Sequence, residues 1–445
     1  MLRSLWSGVS GLKTHQLEMD VIGNNIANVN TTAYKSQATG FSDILYQTVR
    51  EGAAAGQNTG STNTAQVGLG ARVSSINTNI ASQGSAITTN NVLDMMITGD
   101  SFFVISTDIS TANLSYGRDG SFSIDEDGYL VTQNDGYYVI GAIESKIDDG
   151  GALGAMQLVK REYKDLDGDG VDEYNDYVPG EATTQAYMKG NIDSQDEGLK
   201  DGRNIALDVY GSDGEIYSLR FTLTDRGDTE DNTFRLTLSS VLDKDGNRLS
   251  SDNYPSFDLE YDKSDGKLIG IDGGTQKSFN LTLSGEAAAV SMDVDMKYTT
   301  NYKALNEHFS TINAHKGNEK GENQGYGVGV LNGLSVGKDG TIYGEYSNGQ
   351  SKLKGQVAVA VFNNAMGLEK VGDNLYAASL NSGVPVIQDV TADGGYIQSG
   401  VLEGSNVDLA KEFTDMITTQ RGFQANSKVI TTSDEMLQIL KGLKR

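Results

Sequence analysis

The sequence has few of the residues from which most catalytic and binding sites are built. Its 445 residues include no cysteine, one tryptophan, three prolines and three histidines. Without cysteine the chain cannot hold a disulfide framework, a cysteine-ligated zinc ion or a thiol nucleophile. Three histidines leave few positions for a histidine metal site or a catalytic triad. No nucleophile-elbow, zinc-protease, phosphate-loop or dinucleotide-binding motif occurs. We therefore do not expect an enzyme.

Basic residues and long apolar runs are also scarce. The 35 lysines and arginines stand against 60 aspartates and glutamates, which gives a formal net charge of −25. Such a chain lacks the basic face that neutralises phosphate, so nucleic acid is not an expected partner. No apolar run reaches the length of about 18 residues that spans a bilayer, so we expect no membrane insertion. The N-terminus lacks the features of a cleaved signal peptide, and by these rules alone the chain would be cytosolic.

Glycine and alternating patterns are what the chain has in abundance. Its 54 glycines often follow aspartate or asparagine, between short stretches in which apolar and polar residues alternate. Residues 67–145 have this pattern, and it returns in the second half of the chain. Asp127-Gly128 and Asp135-Gly136 predict hairpin turns, because such turns need positive φ. The pattern predicts a mainly β fold with α-helices at the two ends.

Each end of the chain has the three-and-four spacing of an amphipathic helix. The apolar seams of the two helices consist of Leu5, Val9, Leu12, Met19 and Ile26, and of Phe413, Met416, Phe423, Ile430 and Leu437. Long helices need an apolar partner. They are either core helices of a globular domain or a bundle that packs on itself and on copies of itself. Polar Gln16, Gln420 and Ser427 on the seams favour the bundle, because such residues specify register and partner number.

Two internal segments differ in composition from their surroundings. Residues 50–66 are small and polar, which is typical of a linker. Residues 144–272 hold 30 of the 60 acids and 14 of the 35 bases. Because the charges are interspersed along strand-like stretches, we interpret this segment as an exposed β domain with acidic, solvated faces.

One stretch of the acidic segment has the spacing of a twelve-position calcium loop. Its candidate ligands are Asp165, Asp167, Asp169, Glu173 and Asp176, with Gly170 at the sharp turn and the Val171 carbonyl at position seven. The last position departs from the usual Glu, since Asp is shorter and less readily bidentate, and no flanking helices are predicted. The alternative is an acidic β-turn. Calcium is thus a possible ligand, and no cofactor is required.

Residues 24–35 resemble the N-terminal signature of bacterial flagellar axial proteins, the family of rod, hook and hook-associated proteins. The positions that carry the likeness are Asn25, Ala27, Asn28, Asn30 and Thr31, and at the other end Gln420 and Arg421 within a similar C-terminal helix. Ala33 stands where the family usually has Gly, which argues against a left-handed backbone conformation there. The likeness covers residues 1–145 and 298–445, and residues 334–383 resemble the hook members in particular.

The resemblance implies nested domains. Residues 1–30 and 405–445 would form an axial helical domain, with a linker at 31–70 that becomes ordered on assembly. Residues 71–145 and 299–404 would form an inner β domain, and 146–298 an acidic outer β domain. The chain would polymerise into a flexible, helical tube that acts as a universal joint and encloses an export channel.

The resemblance also implies partners and a location. These are other copies of the chain, the rod, the hook–filament junction proteins, the hook cap and the flagellar export apparatus. The protein would be extracellular in the hook and basal body, exported without signal cleavage. The alternatives are another axial part, such as the distal rod or the junction, and a calcium-dependent surface adhesin. A distal-rod protein would need a much shorter middle than 144–298.

Overall fold

The computed structural model is mainly β, with a long helix at each end, as the sequence predicts. It describes residues 2–55, 60–164, 173–226, 232–249, 254–283, 290–303 and 308–442. The chain forms two compact units. Unit 1 consists of Met1–Val159, Leu334–Gly344 and Lys352–Arg445, and unit 2 of Lys160–Gly333 and Glu345–Ser351.

Unit 1 begins with helix α1 (Leu2–Ala27) and a series of short strands. The strands are β1 (Gln37–Asp43), β2 (Tyr46–Arg50), β3 (Ala65–Gly68), β4 (Ala71–Thr78), β5 (Ala86–Thr88), β6 (Met95–Thr98), β7 (Phe102–Ser106), β8 (Leu114–Gly117), β9 (Phe122–Ile124), β10 (Leu130–Thr132), β11 (Tyr138–Ile143) and β12 (Leu153–Ala155). The turns at Gly128 and Gly136 form as predicted, with φ of +84° and +69°. They join β9, β10 and β11 into consecutive antiparallel pairs.

Unit 2 contains an antiparallel meander and a smaller sheet. Its elements are β13 (Arg161–Lys164), β14 (Glu173–Val178), β15 (Gln185–Asn191), α2 (Gly198–Asp201), β16 (Arg203–Tyr210), β17 (Ile216–Asp225), β18 (Thr233–Leu242), β19 (Ser256–Tyr261), β20 (Leu268–Ile271), β21 (Ser278–Thr282), β22 (Ser291–Thr300) and β23 (Asn313–Lys316). Strands β16 to β20 pair in chain order, and the second sheet has the order β21-β22-β15-β23. Burial alternates along β17, so one face joins a shared apolar core and the other carries solvated polar groups.

The chain passes between the units within β24 (Gly329–Val336), β25 (Thr341–Tyr346) and β26 (Ser351–Val357). Unit 1 then adds β27 (Val359–Val361), β28 (Glu369–Gly372), β29 (Leu375–Ala377), β30 (Val386–Gln388), β31 (Tyr396–Ser399), β32 (Val401–Glu403) and helix α3 (Leu409–Gly442). In the core of this unit, Phe102 and Tyr116 both meet the Phe362 ring edge-on, at centroid distances of 5.9 and 4.8 Å.

The segment 31–70, which the resemblance implies is a linker that becomes ordered on assembly, contains three strands among its described residues. Strand β1 pairs with β4 along its whole length, and β2 pairs with β3. Phe41 in β1 and Tyr46 and Val49 in β2 favour β structure and precede the small, polar stretch, which accounts for these two strands.

Candidate assembly interface

Helices α1 and α3 lie antiparallel along one another. The contacts that fix their register are Ser4 with Ser433, Gly8 with Ile430, Gly11 with Asn426, His15 with Gly422, and Asn25 with Glu412. Each step forward on α1 matches a step backward on α3 that is equal to within one residue. The first and last helices of the chain therefore lie side by side.

The stripe of α1 that meets α3 consists of small and polar residues. Ser4, Gly8, Gly11 and His15 have heptad-like spacing, and opposite them Thr419 and Ser433 are buried. A Cβ on Gly11 would stand 2.6 Å from the Asn426 side-chain amide, so a larger residue there would have to displace that side chain. The contact within one chain therefore depends on close backbone approach rather than on large apolar side chains.

The predicted apolar seam of α1 lies one position further round the helix. Its members are all half-buried: Leu5, Val9, Leu12, Met19 and Ile26. On α3 the structure brings Ile430 to the helix pair, leaves Met416, Phe423 and Leu437 half-buried, and exposes Phe413. Most of the predicted seam thus flanks the contact between the two helices.

Several large apolar side chains on the helices are open to solvent. Trp6 is 67 % exposed, Ile417 60 % and Ile439 64 %. Tyr46 and Val49 of the hairpin β2–β3, and Leu45 directly before it, are exposed in the same way. Exposed apolar patches of this kind mark sites of protein–protein contact. The helix pair and hairpin therefore present a surface suited to further copies of the chain.

The motif residue Asn25 connects the C-terminal end of α1 to the N-terminal end of α3. Its side-chain amide donates to the Gln37 carbonyl (2.8 Å) and accepts from the Gln37 N–H (3.0 Å), as a neighbouring strand would. It also donates to Glu412 of α3 (3.2 Å) and accepts from the Tyr34 hydroxyl (3.3 Å). One buried side chain therefore connects α1, the start of β1 and the start of α3.

The other motif residues divide into structural and surface positions. Asn28 donates to the Asn24 carbonyl (2.9 Å) and accepts from the Thr31 hydroxyl (3.1 Å), which closes the C-terminal end of α1. The remaining four lie at the surface of the described chain: Ala27, Asn30, Gln420 and Arg421. Of these, Arg421 donates to Gln424 within its own helix.

Ala33 corrects one expectation. Its φ is +55°, so the left-handed conformation persists although alanine replaces the usual glycine. Burial and the hydrogen bond from its N–H to the Glu403 carbonyl (2.8 Å) hold it there. Such strain, about 1–2 kcal/mol, persists only where the surroundings determine the backbone.

A buried charged cluster beside the motif was not identified as a site from the sequence. Lys35 Nζ lies 2.7 Å from Glu403 Oε1, and Arg118 Nη1 lies 3.7 Å from Glu403 Oε2. The Lys35 and Glu403 side chains are each 1 % exposed. Burial lowers the pKa of Lys35 and of Arg118, and Glu403 opposes both shifts. The position of Lys35 next to the motif was the one available signal, because its partners are distant in sequence.

The candidate calcium loop is described only at its end. Asp165, Asp167 and Asp169 lie outside the described residues, as does the side chain of Glu173. Asp176 is buried, and its two carboxylate oxygens accept from the Lys160 N–H (2.8 Å) and the Tyr346 hydroxyl (3.1 Å). Among the described residues, no group of three acidic or histidine side chains is arranged to hold a metal ion. The calcium loop stays a prediction.

Nor does any described helix combine the length and the apolar character needed to cross a lipid bilayer.

Three family models match the chain at the places where the motif and the β pattern lie. Residues 5–35 match "Flagella basal body rod protein", and residues 96–152 match "Flagellar hook protein FlgE/F/G D1 domain". Residues 398–443 match "Flagellar basal body rod FlgEFG protein C-terminal". The flagellar hook protein FlgE of Borreliella burgdorferi is 34 % identical, and that of Treponema pallidum 32 %, each over the full length of both chains.

The chain belongs to the flagellar hook and rod protein family. It is a structural subunit of the hook, and it belongs to an axial assembly of the flagellum that is built by self-polymerisation. A solved structure of a Helicobacter pylori hook protein, FlgE2, is 13 % identical, covers 71 % of this chain and all of that one, and has a TM-score of 0.46.

The length of the middle segment does not separate a hook protein from a rod protein. The sequence predicts a much shorter middle for a distal-rod protein. The basal-body rod protein FlgG of Bacillus subtilis is nevertheless 30 % identical over the full length of both chains. A long middle therefore does not by itself separate hook from rod in this family, and the likeness to two hook proteins carries the assignment.

Proposed function

We propose that this hook subunit polymerises through α1, α3 and the β2–β3 hairpin into a flexible tube. The exposed apolar side chains of these elements support the proposal, because they are covered only when further copies pack against them. Contacts that repeat head to tail without closing give a helical filament. The tube works as a universal joint: it passes torque from motor and rod to the filament while it bends. It is not an enzyme.

Further parts of the proposal concern location and partners. The subunit leaves the cell through the flagellar export apparatus without signal cleavage, and the helices line the channel through which later axial proteins pass. The rod, hook cap and hook–filament junction proteins meet the tube at its ends. The likeness of both terminal segments to rod and hook models supports these partners.

The domain arrangement belongs to the same proposal. Residues 1–30 and 405–445 form the axial helical domain, and 71–145 with 299–404 the inner β domain. Residues 146–298 form the outer one. The polar, interspersed surface of the acidic segment suits weak lateral contacts that slide as a curved tube rotates.

Electron microscopy of the purified chain in polymerising salt tests the proposal. We expect tubes from the unmodified chain, and monomers from the double variant Trp6→Ser, Ile417→Ser, because it removes two exposed apolar groups of the helix pair. Ile269→Ser is the matched control, since Ile269 is also exposed but lies in unit 2. Tubes from the helix variant would contradict the role of this surface.

Calcium binding at 165–176 is a separate proposal, supported by the spacing of the acids. Calorimetry of the full chain with Ca²⁺ should show binding that is lost in the variant Asp165→Ala, Asp169→Ala. Monomers that bind a surface ligand only with Ca²⁺, and never form tubes, would favour the adhesin alternative instead.

A further inference from the structure

The side chains of Lys35 and Asn406 donate to the same backbone carbonyl. Lys35 Nζ donates to the Ser82 carbonyl at 2.7 Å, and Asn406 Nδ2 donates to the same oxygen at 3.0 Å. Lys35 follows α1 in the chain and Asn406 precedes α3. The amine of one and the carboxamide of the other are therefore neighbours in space although they are distant in sequence.

The Asn406 carboxamide is held in a polarised state. Its Oδ1 accepts from the Ser36 backbone N–H at 2.7 Å, and its Nδ2 donates to the carbonyls of Asn79 (2.9 Å) and Ser82. A backbone N–H on a carbonyl oxygen stabilises the negative charge that forms there during nucleophilic attack. Two carbonyls on the nitrogen keep the leaving group in place.

Glu403 is placed to carry a proton. Its Oε1 accepts from Lys35 Nζ at 2.7 Å and from the Gly84 N–H at 2.9 Å. Its buried Oε2 has no hydrogen bond among the described residues and lies 3.7 Å from Arg118 Nη1. The carboxylate therefore lies within direct proton-transfer distance of the amine.

Lys35 itself has the environment of a nucleophilic amine. Burial, aided by the nearby Arg118, lowers its pKa, although Glu403 opposes the shift. A desolvated lysine next to another cation loses its proton more readily, and the neutral amine is the nucleophile.

We propose that Lys35 and Asn406 join in an intramolecular amide bond. Lys35 Nζ attacks Asn406 Cγ while Glu403 takes a proton from the amine, and the Ser36 N–H stabilises the oxyanion. Glu403 then returns the proton to Nδ2. The Cγ–Nδ2 bond breaks, one ammonia leaves, and the Nζ–Cγ bond remains. No oxidant, reductant or cofactor takes part.

The bond would connect the two junctions between helices and β structure. Residue 35 lies two residues before β1 and residue 406 three residues before α3, so pulling on either helix would load a covalent link rather than hydrogen bonds alone. All reacting groups belong to one chain. The bond therefore does not depend on the proposed polymerisation, and monomers and tubes alike should contain it.

Mass spectrometry of the folded full chain tests the bond. We expect an intact mass lower than that of the sequence by one ammonia. Cyanogen bromide cleaves after methionine, so fragments 20–95 and 367–416 should remain joined through Lys35 and Asn406. An intact mass equal to that of the sequence, with the two fragments separate, in both monomers and tubes, would overturn the proposal.

Three variants assign the roles. Lys35→Arg removes the nucleophile but keeps the charge. Glu403→Gln removes the base but leaves both reacting side chains. Each variant should have the mass calculated from its own sequence, with no loss of ammonia. Lys411→Arg is the control, since this lysine is exposed on α3, and it should retain the loss of ammonia. Continued loss of ammonia in Glu403→Gln would refute the role of Glu403.

Discussion

At the scale of single residues, polar side chains replace backbone partners where helix, strand and loop meet. The side chain of Asn25 completes both hydrogen bonds of Gln37, and Asn406 does the same for three backbone groups nearby. The sequence could identify Asn25 as part of a family motif. It could not identify what Asn25 bonds, because Gln37 and Glu412 are brought to it only by the fold.

Replacing Asn25 with alanine should destabilise unit 1 by about 2–4 kcal/mol, because the half-buried backbone of Gln37 and the buried Glu412 would lose a partner. Urea unfolding followed by circular dichroism measures this as a lower midpoint. Asn30→Ala is the matched control: Asn30 belongs to the same motif but lies at the surface, so its replacement should change stability by less than about 0.5 kcal/mol. Equal losses in the two variants would contradict the role of Asn25.

Tyr376 should make unit 1 sensitive to alkali. Burial raises the pKa of its phenol from 10.0 to about 12. The folded state favours the neutral phenol of Tyr376. Its contribution to the free energy of unfolding is therefore complete below the unfolded pKa near 10 and is lost as the pH rises through about 12. The expected loss is about 2–3 kcal/mol. Denaturant midpoints from about pH 9 to about pH 12 should fall less steeply in Tyr376→Phe than in the unmodified chain.

Tyr396→Phe is the control for this measurement, because Tyr396 is far more exposed and should leave the slope unchanged. Tyr34 and Tyr116 also have raised pKa values, so some alkaline sensitivity should persist in every variant. Identical slopes for Tyr376→Phe and the unmodified chain would rule out the burial argument.

At the scale of elements, the periodicity of the two ends predicts both helices, because apolar residues at three-and-four spacing lie on one face of an α-helix. It does not predict which stripe of α1 meets α3. The sequence pattern favours contact of apolar residues such as Leu5 and Leu12 with α3. In the structure, α1 approaches α3 most closely at Gly8 and Gly11. The three-and-four spacing of apolar residues is the same whether a helix face packs on other copies of the chain or within one chain.

Gly11 and Gly23 offer a matched test of the helix contact. A Cβ on Gly11 would collide with Asn426, whereas a Cβ on Gly23 would meet nothing within 4 Å. Gly11→Leu must displace the Asn426 side chain and fit between the two helices, so it should lower helix stability by about 1–3 kcal/mol through overpacking. Gly23→Leu should raise it by up to about 1 kcal/mol, since leucine favours helix over glycine. Thermal unfolding followed by the helical circular dichroism signal measures both, and a loss of the same size at Gly23 would show that the contact with α3 is not the cause.

At the scale of the whole molecule, the acidic segment forms most of a unit with its own core. Every buried apolar residue of that core lies between Ala186 and Ile312. The alternating strands and Asp-Gly turns made its β character predictable. Unit 2 begins at Lys160 and its first stretch ends at Gly333. The outer domain at 146–298 that the resemblance implies stays a prediction. Strands such as β24 continue through the change of unit without any break in pattern.

The pairing at the edge of this core permits a clean deletion. Val178 of β14 lies directly opposite Gly329 of β24 in an antiparallel pair. Replacing residues 179–328 with Asn-Gly should close a two-residue hairpin there and remove the whole core of unit 2, while unit 1 keeps its sequence. Because the proposal assigns assembly to the helices and lateral sliding to the acidic domain, we expect the shortened chain to form tubes with altered curvature or stiffness in electron micrographs. If the shortened chain keeps its helical circular dichroism signal but never polymerises, the acidic domain is required for assembly itself, and curvature alone cannot be its role.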